Sequence, residues 1–383
     1  MTHASHAAAV RAVVGDARVV ALGEGAHSVT EFYEQRHSLF RLLVEELGFT
    51  ALVLESGFAE GLAVDAWVRG GDGDVEAVAR EGVSYRFGEC EPMRRQLGWL
   101  RATGGVRFYG MDLPGSSTSP GPAVRACLER LPAWPGDAEL LRLSDLGGRS
   151  EAAVRSAWLP AADRQRLMDG LLALYGRALR DGDDTAVRCA ESLRAFVADA
   201  AAGQLPARQP YPREEFMADT VRWILEREQR VLVSAHNAHV RRTPLHGRPM
   251  LGALLAAELG PELKVIGMTY GSGPEVRITP RSPRPFDWEV SLRERELAPE
   301  SLEARLERLP GGPELLVDTR QVPPGFFDGV TGTQVGGGLD PLDDVPAAFD
   351  ALLHVRHVTR VPGAFERLRD ELEAAARLGT ESP

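Results

Sequence analysis

Seven short apolar, β-branched runs, set apart by helical stretches and turn-rich segments, limit what this chain can become more than any other feature. Arg18–Leu22, Ala51–Leu54, Val106–Tyr109, Val231–Ser234, Lys264–Met268, Leu315–Val317 and the weaker Leu352–Val358 read as buried strands. Helical patterns lie between them at Thr30–Leu47, Glu91–Ala102, Glu214–Glu228 and Met250–Leu259. Strands alternating with helices predict an α/β fold, a mostly parallel sheet flanked by helices on both faces.

The stretch 116–205 breaks this rhythm. It has Leu/Ala/Arg periodicity and no strand-like run, and it predicts an all-helical insert domain packed over one edge of the sheet. Pro/Gly-rich joints at Leu113–Pro122 and Gln204–Pro212 flank it. The expected organisation is an α/β catalytic core from residues 1–115 and 206–383, with insert 116–205 covering the active-site cleft. Pro280–Asp287 and Gln321–Asp344 read as long loops, of the length usually reserved for binding or motion.

Charge and cysteine usage exclude several functions. With 44 basic and 55 acidic residues interspersed, for a net charge of −11, no nucleic-acid footprint is expected. No apolar run is long enough to span a bilayer, and the N-terminus, with His3 and His6, lacks the charged-then-apolar pattern of a signal peptide. Cys90, Cys127 and Cys189 are odd in number and lack metal-type spacing, which suits a reducing compartment. The expectation is a cytoplasmic protein acting on a small molecule, with no nucleic-acid or membrane partner.

The strand ends carry the functional signal, because ligands of open parallel sheets bind beyond the carboxyl ends of the strands. Gly23-Glu24-Gly25-Ala26-His27-Ser28 comes directly after the first run and Glu55-Ser56 after the second. Asp112 comes soon after the third, and Ala235-His236-Asn237-Ala238-His239 after the fourth. Singly, each residue has a structural reading: Glu24 as a cap, Arg36 in an intrahelical ion pair, Glu55 paired with an arginine, the histidines as satisfied core residues. Their shared address at one sheet edge points to catalysis, since clustered carboxylates otherwise repel. A dinucleotide fingerprint would need glycine where Ser28 stands. The glycines beside Glu24 are expected to let the backbone turn sharply off the strand.

These residues resemble a known family. Leu22–Ser28, continuing through Phe32 and Arg36, is similar to the first signature of the erythromycin esterases. Glu55 stands where the family's second acid does, and Ala235–Val240 resembles its late histidine pair. Arg213-Glu214 with Met217-Ala218 resembles its arginine–acid–Met–Ala helix, with Glu in place of the more usual Asp. The resemblance touches residues 19 to about 270. It implies an α/β core with a helical domain, and metal-independent hydrolysis of a lactone or other carboxylic ester of a macrolide-like or other secondary-metabolite substrate, without cofactor. Tyr85–Glu91 and the late loops depart from the antibiotic-resistance members and suit substrate contact.

For such chemistry His27 is the expected base, because imidazole titrates near neutrality. Glu24 would hold its tautomer, and Arg36 would orient a carboxylate or stabilise the oxyanion. Glu55 and His236 are expected to form a second acid–imidazole pair. His239 is expected to complete the pocket wall, with Asp112, Arg213, Tyr85 and Phe87 as further substrate-binding residues. No Gly-x-Ser-x-Gly elbow supports a serine nucleophile. The alternatives are a biosynthetic cyclase, dehydratase or acyl transferase on a polyketide-like substrate using the same residues, and a metal-dependent hydrolase.

Overall fold

The computed structural model describes residues 3–201 and 209–381. Its centre is a sheet of seven strands: β1 (Val19–Glu24), β2 (Ala51–Gly57), β3 (Arg107–Asp112), β4 (Val231–His236), β5 (Leu263–Ser272), β8 (Glu314–Asp318) and β11 (Ala351–His357). They lie in the order β3-β2-β4-β1-β5-β11-β8. All neighbours pair in parallel except β8, which runs antiparallel to β11 at one edge. β1 is buried on both faces along its whole length, as its unbroken apolar run requires.

All seven runs read from the sequence lie in this sheet. β1 to β5 extend past the predicted ends, so Glu24, Glu55, Asp112 and His236 belong to the strands themselves. Register then sets them side by side: Glu24 is opposite both His236 and Met268, and Gly57 opposite Asp112 beyond an irregularity in β2.

The helix Thr30–Leu47 spans the predicted range and ends at Gly48, whose left-handed φ of 70° closes the last turn. Its buried face is Phe32, Tyr33, Arg36, Leu39, Phe40 and Leu43. Arg36 thus stands on the apolar stripe of the helix and points at the sheet, rather than pairing along the solvent face as its charged neighbours do.

Residues 121–200 form five helices, Gly121–Leu128, Asp137–Ser144, Arg149–Trp158, Ala161–Asp181 and Asp184–Ala200, with no strand among them. All but Arg149–Trp158, which packs on the helix Ala364–Glu381, close an apolar core with Phe58, Leu113 and Phe216, beside edge strand β3. The first predicted joint holds a tight turn at Pro114–Ser117, followed by a helix from Gly121. Of the second joint, Gln204–Pro212, residues 204–208 lie outside the described residues, as does the expected boundary at 205/206.

The two late segments are not plain loops. Pro280–Asp287 closes a hairpin of β6 (Pro274–Pro280) and β7 (Trp288–Glu294), and Gln321–Asp344 contains a hairpin of β9 (Gly332–Val335) and β10 (Gly338–Pro341). Prolines and glycines bracket these strands, which is why they read as loops. The helix Ala364–Glu381 then returns across the carboxyl edge of the sheet.

Candidate active site

A cavity of about 550 Å³ opens beyond the carboxyl ends of β1 and β4. His27, His236, Tyr85 and Phe87 line it, together with Arg149 and Ser150 from the helical segment and Arg367 and Leu368 from the last helix. Glu24, Glu55, Asp112, Arg213 and His239 lie one layer behind this wall, where they hold the lining residues in place.

The glycines around Glu24 owe their presence to crowding. A side chain on Gly23 would fall 2.1 Å from Asn237 Oδ1, and one on Gly25 would fall 2.9 Å from the Met268 carbonyl. The left-handed backbone comes later, at Ser28 with φ of 57°. The expected sharp turn at the glycines is thus replaced by close approach of the Asn237–Val240 helix to Gly23 and of β5 to Gly25. The side chain of Asn237 donates to the Met268 carbonyl at 2.8 Å.

His27 Nδ1 donates to Glu24 Oε1 at 2.7 Å, and a carboxylate can only accept, so Nε2 is the nitrogen with a free lone pair. The His27 ring lies 5.1 Å from both the His236 and the Phe87 rings, and 44% of its side chain is open to the cleft. Surrounding protein disfavours the charged ring, but the hydrogen bond and charge of Glu24 outweigh this and raise the His27 pKa above 6.5. Arg36 sits behind: Nε donates to Gln96 Oε1 at 3.0 Å, and Nη1 lies 3.9 Å from Glu24 Oε2. It is 2% exposed and reaches Glu24, not the cavity. Of its two expected roles only the orientation of a carboxylate fits; it is not placed to stabilise an oxyanion in the cleft.

His236 differs in kind. Its Nδ1 accepts the Ala238 backbone N–H at 3.2 Å, capping the short helix Asn237–Val240. The proton of the neutral ring therefore belongs on Nε2. Burial, with the positive potential of His27 beside it, depresses its pKa to about 3. His236 is held as a neutral donor.

The expected Glu55–His236 ring pair is not formed. Glu55 Oε2 accepts the backbone N–H of His236 at 2.8 Å, while Oε1 faces His239 Nε2 at 3.3 Å and Arg213 at 2.9 Å. Burial opposes charge on Glu55, yet His239, Arg213 and His27 together hold its pKa well below the usual carboxylate value. His239 is clasped on its other side by Glu214 Oε1 at 2.7 Å, and the two carboxylates overcome burial and raise it to about 10. It is a buried imidazolium and not part of the cavity wall.

Arg213 forks onto Asp112 at 2.9 and 2.7 Å, and Asp112 accepts the Tyr85 hydroxyl at 2.8 Å. Asp112 and Arg213 thus position Tyr85 rather than lining the cavity themselves. Tyr85 and Arg86 both have positive φ, at 55° and 63°, a conformation that costs about 1–3 kcal/mol per residue and is pinned by these bonds and by Ser116 and Ser117. Two contributors escaped sequence reading as site residues. Glu214 was visible only as part of a helix motif. Glu60 gave no signal; it accepts the Gly115 N–H at 2.6 Å, and burial pushes its pKa up to about 7. Among the described residues no three His, Cys, Asp or Glu side chains are grouped to hold a metal ion.

A mostly parallel α/β sheet thus turns a carboxylate-held imidazole and a neutral imidazole onto one cleft. The chain belongs to the erythromycin esterase family, whose model matches residues 44–358, and it is an ester hydrolase. It is similar to the type II erythromycin esterase of Escherichia coli, 28% identical over 73% of this chain and 75% of the relative. The type I enzyme of the same organism is 25% identical over 72% and 76%. Among solved structures, an erythromycin esterase mutant in its open conformation superposes with a TM-score of 0.74 at 20% identity, over 92% of this chain and 94% of that one. A succinoglycan biosynthesis protein gives 0.67 at 18%, over 92% and 91%. These two establish the shared fold. The family match begins beyond Glu24, His27 and Arg36, whose roles rest on geometry. No helix among the described residues is long and apolar enough to cross a membrane.

Proposed function

We propose that the protein hydrolyses a lactone or carboxylic ester of a macrolide-like or other secondary-metabolite substrate, using water activated by His27 without a metal. The observation that carries this reading is the 2.7 Å bond from His27 Nδ1 to Glu24, which leaves Nε2 as a base in the cleft. His27 takes a proton from water as the resulting hydroxide bonds to the acyl carbon. His236 lines the same cleft, and its Nε2–H is the donor to the developing oxyanion, a role for which a neutral imidazole of fixed tautomer is suited. Collapse breaks the acyl C–O bond, and the His27 imidazolium returns its proton to the leaving alkoxide. Glu55, with His239 and Arg213 locked on it, sets the His236 backbone and supplies negative potential to His27. Helices between 116 and 205 act as the insert that covers this cleft, through Arg149, Ser150 and Ala153. A cavity of this volume falls in the ~300–1,000 Å³ range of small-molecule sites.

The test is mass spectrometry of purified protein with candidate lactones, erythromycin first, with and without EDTA. Hydrolysis adds one water and persists in EDTA. An unchanged mass, or loss of water, would make the protein a cyclase or dehydratase; transfer of the acyl group to another acceptor would make it a transferase. Activity abolished by EDTA and restored by zinc would replace the mechanism with a metal-dependent one.

A further inference from the structure

The arginines that line the cleft are not equivalent. Arg86 pairs with Glu371, Arg149 with Glu89 at 2.5 Å and Glu371 at 3.7 Å, and Arg367 with Glu89 at 3.5 Å. Arg360 lines the same cavity and, among the described residues, makes no side-chain hydrogen bond and has no carboxylate within ion-pair distance. Its Nε is shut off from solvent with no partner. The residue is half-buried, and a sealed polar atom without a partner in a native protein calls for a reason. The nearby acids face other cations, and Glu275 Oε1 makes no hydrogen bond to any of them. Glu24 holds His27 and faces Arg36, and Glu275, which also lines the cavity, lies 3.4 Å from Arg277 and 3.8 Å from Arg295. The Tyr270 ring, another neighbour, is covered by Arg295 at 3.8 Å.

Arg360 is also tied to the loop that carries His27. Its backbone bridges Val29, while Val361 N–H donates to the Ser28 carbonyl at 3.0 Å and Thr30 N–H to the Thr359 carbonyl at 3.0 Å. The charge is therefore held in register with the proposed base, on elements that cannot drift independently.

We infer that Arg360 is a specificity residue that recognises an anionic oxyacid group of the substrate, a carboxylate or phosphate carried beside the ester to be cleaved. The planar fork matches either group through paired, charge-assisted hydrogen bonds. The inference rests on the reading of this cleft as the substrate site and narrows the substrate class to acidic esters.

Isothermal titration with benzoate, phenyl phosphate and neutral benzyl alcohol tests it on the wild type, Arg360→Gln and Arg360→Lys. The wild type should bind one or both anions at least about tenfold more tightly than the alcohol; Arg360→Gln should erase that preference and Arg360→Lys keep part of it. Whichever anion is preferred identifies the group. No preference in the wild type, or a preference that survives in Arg360→Gln with its unfolding temperature unchanged, overturns the inference. The lactone screen is read separately: anion preference without hydrolysis of any ester removes the esterase mechanism and leaves this site standing, whereas hydrolysis without anion preference does the reverse.

Discussion

Protonation decides the chemistry at the residue scale. His27 and His236 lie 5.1 Å apart, yet one is raised and the other depressed to about 3, because Glu24 outweighs burial at the first ring while burial and the charge of His27 prevail at the second. Replacing His27 with alanine should lower kcat by about 10²–10⁴-fold, the usual value of general-base help, while its unfolding temperature stays near that of the wild type. Glu55→Gln should also stop turnover, but here the fold suffers too. Removing this carboxylate leaves the His239 and Arg213 cations facing one another, a loss of about 3–5 kcal/mol in denaturant unfolding, and an unchanged stability would contradict the ion network described. The pH dependence has a definite sign. The His239 pKa is raised from 6.5 to about 10, so its contribution to stability is complete below about 6.5 and is lost as pH rises through about 10. Unfolding measured from pH 6 to pH 10 should show this decline, and His239→Gln should flatten it.

The strands bring these residues together at the scale of elements. Gly23→Ala should destabilise the protein by about 1–3 kcal/mol, because the new methyl meets Asn237 between β1 and the Asn237–Val240 helix; calorimetric melting checks this. The six parallel strands were legible because a sheet buried on both faces writes continuous apolar runs, and the antiparallel edge strand β8 through its short Leu315–Val317 run. The convergence of Glu24, Glu55, Asp112 and His236 was legible for the same reason: strand ends give a common address. Pairing was not legible. Whether Glu55 meets His236 or His239 depends on a strand-end backbone that turns His236 toward the cleft and His239 into the protein, and no sequence spacing encodes that. The fate of Arg36 could have been read, since it falls on the Phe32–Leu39–Leu43 stripe of its helix. Hairpin β6–β7 stayed hidden because its strands are largely exposed and β6 is bounded by prolines, and β9–β10 because its strands are only four residues long and begin at glycines.

Considered as a whole molecule, the cleft is enclosed by parts distant in sequence. Glu371 on the last helix accepts from Ser150 N–H at 2.9 Å and pairs with Arg86 and Arg149, linking the chain's final helix to the helical segment across the cavity mouth. Neutralising it in Glu371→Gln should loosen this closure, raising KM about three- to tenfold with kcat little changed, and added salt should act in the same direction on the wild type. The central claim is that Glu24 makes His27 the base. Its most direct test is the pH dependence of kcat/KM for the wild type and Glu24→Gln on the first lactone found to be hydrolysed. In the wild type the rate should rise with pH through an apparent pKa above 6.5, and in Glu24→Gln that midpoint should move down as the rate falls. A wild-type profile with no such midpoint, or one that Glu24→Gln leaves in place, would contradict it.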